Sequence, residues 1–530
     1  MNSTNKQLTI LSELEKAAFY DLPVFNYEQK LQYFSLTDLE LELALTRQNL
    51  SSQIYCILQI GYFKAVKRFF RITWKTIDQE DCIFIMQQYF PHQYLEQNKI
   101  SKYEHYAQCL LIADLFEYKL WNQSYTKQLY VHANTILTRD INPQFIAIEL
   151  LSFLKTQKII RPGYTTLQTI VSDVVNTERK RLSNIMKTNL SAKDKKLLET
   201  LLVEEDSLSK LAAIKQDAKN FKLHIIIQEC QKMAILKPIY QVIKGLLPKL
   251  KLSQQNMHYY ANLVNYYSIY DLRERLKIEQ VHLYLLCYSW KRYQQFSDNL
   301  ISAFSHNFKQ IEQKVKEYAE IRLTEYLLSQ HDESTKMEQL ARLYIDDKLP
   351  DTMQFGTVRE KAFTIVPKEE LLNKLSNTLE VNPKLKFYWE SVDKFKRRTT
   401  LNLRYLIKAI SFFSTNKNPS WTVGIEWIKK DLLKSKNLPL DLANIPNKLQ
   451  KYLTYKKTKG KTHLNASRYE YWVYRKVYNS IKTGSLYSED SLQYKSLKEE
   501  LVTVEDKDNI IKDLNIPALE KPIKEQLHNL

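Results

Sequence analysis

The residues with the clearest chemical potential are cations at helical spacing. Lys64, Lys67, Arg68 and Arg71 stand at offsets 0, 3, 4 and 7, which is one face of a helix. Phe63, Val66, Phe70 and Trp74 supply its apolar side. Such a stripe can lie against a DNA groove and meet phosphates; the alternative is a solvated face. A second cluster, Lys394, Lys396, Arg397 and Arg398, leads to Arg404 and Lys408. A third runs from Lys451 to Lys482. It holds nine Lys or Arg, among them Lys456, Lys457, Lys459, Lys461, Arg475 and Lys476, against one acid, Glu470. Tyr452, Tyr455, Tyr469, Tyr471, Trp472, Tyr474 and Tyr478 interleave with these cations. The rings can stack on sugars or bases, or simply fill a small core. With so many cations beside them, nucleic acid is the favoured reading.

The whole chain agrees with a polyanionic partner. Lys and Arg number 78 against 59 acids in 530 residues, a net charge of +19. That balance suits nucleic acid or an anionic membrane surface. Glycine excludes other classes. There are 7, and the closest pair, Gly460 and Gly484, lies 24 positions apart. Neither a GxxxxGK loop nor a GxGxxG turn can be built, so the usual signatures of P-loop, Rossmann and protein-kinase sites are missing. Cys56, Cys82, Cys109, Cys230 and Cys287 are scattered, with no CxxC. A zinc site or disulfide framework is disfavoured, and buried thiols in a reducing cytoplasm are expected. His132 and His282 sit among apolar neighbours and read as core or hydrogen-bonded histidines. Asp346 and Asp347, being adjacent, read as a helix end or turn. No run approaches the roughly 18 apolar residues of a membrane span.

The elements that must position these residues are helices. Ser12 with Glu15, Thr37 with Glu40, and Thr165 with Gln168 have capping-box spacing. Punctuation comes from proline, including Pro143, Pro162, Pro238, Pro248, Pro350, Pro367 and Pro383, each expected to interrupt or bound a helix. The expected fold is all-α, with several helical domains in series. These are an N-terminal DNA-binding domain over 1–190, a central domain over 191–345, and a basic region over 346–530 with an acidic, loosely structured tail. The absence of proline after Pro248 in the central domain predicts long helices there.

Several segments resemble the Tn-three family of replicative transposases. They are Leu8–Glu13, Tyr33–Glu40 and Gln53–Phe63, then Ile159-Ile160-Arg161-Pro162-Gly163-Tyr164-Thr165-Thr166-Leu167 followed by a charged helix through Arg179, Lys180 and Arg181. Family members carry an I-V-R-P-G-x-S-T-L type of segment at that place. His258–Leu263, Leu283–Tyr288, and Trp472–Gly484 with Ser491–Tyr494 extend the likeness. The first 185 or so residues carry its most specific part. The resemblance implies binding of double-stranded DNA at the transposon's terminal inverted repeats, with Arg161, Arg179, Lys180 and Arg181 added to the candidate contacts. It also implies a homodimer as a possible assembly and a bacterial cytoplasm as the setting. In the family a catalytic domain follows, in which two Asp and one Glu hold Mg²⁺. The chain ends at Leu530 and no residue matches those acids. The expectation is therefore a truncated or split transposase, without catalytic residues, metal or cofactor of its own. Two alternatives stay open: a helical interaction scaffold, and one chain of an enzyme whose catalytic domain is a separate protein.

Overall fold

A computed structural model describes residues 8–205, 208–350, 352–376, 382–415, 421–432, 445–456, 462–496, 506, 507 and 510. The fold is all-α, as expected. The described strands are short and pair only as two-stranded antiparallel ladders, Glu204–Glu205 with Leu208–Ser209, Phe413–Ser414 with Leu486–Tyr487, and Thr454–Lys456 with Thr462–Leu464. Most of the acidic tail lies outside the described residues.

The N-terminal helices are α1 (Glu13–Tyr20), α2 (Tyr27–Phe34), α3 (Asp38–Leu45), α4 (Leu50–Val66), α5 (Gln79–Tyr89) and α6 (Lys102–Leu115). Next come α7 (Tyr125–Arg139), α8 (Pro143–Thr156) and α9 (Tyr164–Asn189). Reciprocal capping boxes start α1 at Ser12 and Glu15, and α3 at Thr37 and Glu40. The expected box at Thr165 and Gln168 does not form. Gly163 is the N-cap of α9, two residues earlier, and the Gln168 amide instead donates to the Leu8 carbonyl at 2.8 Å.

The chain divides into two compact units. The first comprises Met1–Leu202 and Val242–Tyr288, the second Val203–Gln241 and Ser289–Leu530. This differs from three domains in series. Asn256 helps tie the 242–288 stretch to the first unit. It accepts from the Ile141 amide at 2.6 Å and donates to the Leu137 carbonyl at 2.8 Å.

In the first unit α4 is buried almost all round, from Ile54 through Phe63. Its Gly61 lies so close to α2 that a Cβ there would stand 2.3 Å from the Phe34 ring. Phe25, Phe34 and Tyr62 pack edge-on or tilted around that contact.

In the second unit the core is aromatic, with Trp389, Phe296, Phe304, Tyr469, Tyr471 and Tyr474 all nearly inaccessible. Buried Asp298 accepts from the Ser491 hydroxyl and from the amides of Leu492 and Gln493, fixing that segment on a long helix. That helix, Ile278–Tyr344, runs 67 residues, matching the long helices expected without proline. Gly484, at φ 70°, closes the helix Ala466–Lys482 in a conformation that favours glycine.

Proline behaves as expected at Pro143 and Pro383, which open helices at the first turn. It does not at Pro238 and Pro248, which lie inside the helix Leu223–Leu250. Each forfeits a backbone hydrogen bond. Leu236, Ile239, Tyr240 and Ile243 are buried along the same helix, and their packing outweighs that loss.

Candidate nucleic-acid interface

The helical stripe predicted from Lys64 to Arg71 does not exist. α4 stops at Val66, Lys67 takes the left-handed C-cap conformation at φ 51°, and its amide donates to the Phe63 carbonyl at 2.8 Å. Buried Gln59 supplies the physical reason. Its side chain donates to the Phe70 carbonyl at 2.6 Å and accepts from the Phe70 amide at 3.4 Å. It thereby offers Phe70 the two bonds a neighbouring strand would, and the chain after Lys67 leaves the helix.

The four cations consequently have separate surroundings. Lys64 donates to Glu40 at 2.6 Å and to the Ser35 carbonyl at 2.9 Å. Lys67 lies over the Phe63 and Phe116 rings, each at 5.6 Å. Burial, then the charges of Lys64 and Lys155, lower its pKa. The Arg68 guanidinium sits among Phe19, Tyr20 and Phe70 at 5.0–5.7 Å from their centres. Arg161 covers Phe19 at 4.0 Å and donates to its carbonyl at 3.3 Å. Burial and the nearby Arg68 charge hold Arg161 down to about 10. Both arginines thus have half-buried stems on aromatic rings, a packing role their sequence positions did not disclose.

Arg71 alone of the four is exposed. It borders a cavity of about 460 Å³ lined also by Trp74, Lys75, Lys99, Lys102, Tyr55 and His105. Arg71, Lys75, Lys99 and Lys102 make no ion pair with a carboxylate among the described residues, and no acid lines the cavity. Sequence reading missed three of these cations, because nothing in the spacing shows that residues 97–102 return beside 71–75.

On α9, Lys180 is exposed. Arg181 forms two 2.7 Å bonds to Glu178 and a third to the Leu250 carbonyl. Arg179 is half-buried, and its Nε has no hydrogen-bond partner among the described residues.

In the second unit, Lys396 and Arg397 are exposed on the helix Pro383–Ala409. The Arg398 side chain, and all of Lys457, Lys459 and Lys461, lie outside the described residues. Lys456 is exposed. Arg475 approaches Glu312 at 3.4 Å and covers Tyr388, while exposed Lys476 lies 5.9 Å from the Trp472 ring. Tyr452, Tyr469, Tyr471, Trp472 and Tyr474 are buried, with Tyr455 exposed. The interleaved rings are therefore mostly core, not a stacking platform. Residues 469–474 are buried in succession, so the core encloses this part of Ala466–Lys482 on every side.

The isolated histidines and acids match their modest readings. His132 stacks on Phe153 with 4.2 Å between ring centres. His282 is buried, with Nε2 3.5 Å from Glu199, and burial depresses its pKa. Asp346 sits in a turn just after the long helix, accepting from the Lys348 amide at 3.1 Å. Among the described residues, the five thiols form no disulfide, no group of three or more His, Cys, Asp or Glu could hold a metal, and no helix is long and apolar enough to cross a membrane.

No curated protein matches the chain. Residues 10–174, which include Arg71, Lys75, Lys99, Lys102 and Arg161, match a family described as Domain of unknown function (DUF4158).

Proposed function

We propose that the chain binds double-stranded DNA, as the terminal-repeat-binding portion of a Tn-three family transposase working in a bacterial cytoplasm. Binding, without strand transfer, is the activity proposed. The observation that carries it is the set of exposed cations Arg71, Lys75, Lys99 and Lys102, gathered around one cavity without a carboxylate partner among the described residues. Elsewhere in the first unit the fold pairs cations or lays them on rings, as it does Lys64, Arg68 and Arg181. Unpaired cations brought together are what phosphates require. The matched domain covers 10–174, and the resemblance to these transposases is most specific over the same stretch. A homodimer and a separate catalytic chain are the protein partners that fit this role.

The test is fluorescence anisotropy of the full chain with labelled duplexes at low salt, one carrying the inverted repeat and one scrambled. Binding to both, tighter to the repeat, is expected. Failure to bind either duplex overturns the proposal in favour of an interaction scaffold.

A further inference from the structure

The cavity beside Arg71 is too small for a duplex and unusually well furnished for a single nucleotide. At about 460 Å³ it falls within the roughly 300–1,000 Å³ of small-ligand sites. Its walls combine two kinds of group. Arg71, Lys75, Lys99 and Lys102 supply positive charge around the opening, and all four are exposed. Half-buried Trp74 supplies planar apolar surface. The Trp74 ring is fixed in place, since its Nε1 donates to the Asn98 carbonyl at 2.7 Å, and it meets Tyr55 edge to face at 6.4 Å. Tyr55 is buried and its hydroxyl meets His105 Nδ1 at 3.0 Å. The first turn of α6, a helix of 14 residues capped by Ser101, adds the positive end of its dipole. The nearest acid on that turn, Glu104, accepts from the Ser52 hydroxyl and does not line the cavity.

We propose that this cavity takes one unpaired nucleotide, with its phosphate among Arg71, Lys75, Lys99 and Lys102 and its base against Trp74. Cations alone would fit any phosphate, and an aromatic wall alone any apolar ring. Their conjunction around one small opening selects a group that is both anionic and planar. A paired base cannot enter, so the nucleotide must be free or displaced from its helix. The proposal rests on the DNA-binding reading for the source of the nucleotide, not for the existence of the site.

The experiment compares three ligands of the full chain: a fully paired duplex, the same duplex with one extrahelical nucleotide, and a free deoxynucleoside monophosphate. Base stacking on an aromatic residue makes the extrahelical duplex bind about tenfold tighter than the paired one. Trp74→Leu removes that advantage and leaves the paired duplex within about twofold. Independently of any variant, a photoreactive base at the extrahelical position cross-links to a peptide containing Trp74 or Tyr55. Binding of the free nucleotide, lost in Trp74→Leu, together with no DNA binding, supports the site while overturning the DNA-binding reading. Equal affinity for the paired and extrahelical duplexes, no free-nucleotide binding and cross-links elsewhere overturn the site, even if duplex binding stands.

Discussion

Two groups of cations, one in each unit, have opposite surroundings. In the first unit, Arg71, Lys75, Lys99 and Lys102 surround a cavity that no carboxylate lines. In the second, the arginines in and beside the helix Ala466–Lys482 are engaged. Arg468 bonds Asp393 at 2.7 Å, Arg475 approaches Glu312, and Arg404 reaches in to grip Glu470 at 2.7 and 3.0 Å. Glu470, the single acid between Lys451 and Lys482, is buried and also accepts from the Tyr474 hydroxyl at 2.6 Å. Counting charges along the sequence therefore overlooks the first group, since residues 71–102 hold four Lys or Arg and four acids, against nine and one from 451 to 482. In the second, Arg404, Arg468 and Arg475 are turned to holding the core, while Lys451, Lys456, Lys476 and Lys482 stay exposed. The four cations around the cavity make no ion pair with a carboxylate among the described residues.

The largest expected effect breaks the second region. Arg404→Ala strands a buried carboxylate beside Tyr474, which costs about 3–5 kcal/mol. Thermal unfolding should show a large drop, while DNA affinity measured on folded protein stays near the wild-type value. Unchanged stability would mean the pair is ornamental and the contrast between the regions false.

Next comes Gly61→Ala in the first unit. Its new Cβ would meet the Phe34 ring at 2.3 Å, and overpacking of this kind costs about 1–3 kcal/mol. Chemical denaturation should register that loss. Tolerance without loss would mean that α2 can retreat from α4 freely.

A smaller effect depends on pH. His105, His132 and His282 all belong to the first unit, and burial depresses the pKa of each. Arg71 pushes His105 down further, as does Arg139 for His132, while at His282 the Glu199 carboxylate opposes the effect of burial without reversing it. The unfolded chain thus binds more protons than the folded one below the ordinary histidine value of about 6.5. Stability should fall as the pH drops from about 7 through that range, and replacing His282 with Gln should flatten the fall. A stability that rises on acidification over this range would contradict the burial of these rings.

The smallest effect on folding is expected from Lys396→Ala with Arg397→Ala, both exposed. Surface changes of this kind shift stability by less than about 0.5 kcal/mol. DNA affinity should fall less than for Lys75→Ala with Lys99→Ala. The reverse order would move the interface to the second unit.

Much of the fold was legible in the residues. Helix class, the caps at Ser12 and Thr37, the turn at Asp346 and the long helix beyond Pro248 all follow from local chemistry. The errors have a common cause, which is that side chains distant in sequence decide local fate. Lys64 through Arg71 has faultless helical spacing, yet Gln59 claims both backbone groups of Phe70 and ends the helix. Pro238 and Pro248 should break a helix, yet buried neighbours hold it. The tyrosines near Glu470 could have stacked on bases or filled a core, and only tertiary packing decides. The cavity itself was illegible, because it joins 71–75 to 97–102 across α5 and no periodicity records that return.

The salt dependence of duplex affinity tests the central claim most directly. If the first unit's free cations neutralise phosphates, the logarithm of the binding constant falls linearly with the logarithm of salt concentration. Each phosphate contact contributes a slope of about −0.9. Lys75→Ala with Lys99→Ala should then shrink that slope by roughly two contacts' worth, with the fold intact by circular dichroism. A flat salt response in the unaltered protein, or a slope that the double substitution leaves unchanged, would contradict the account.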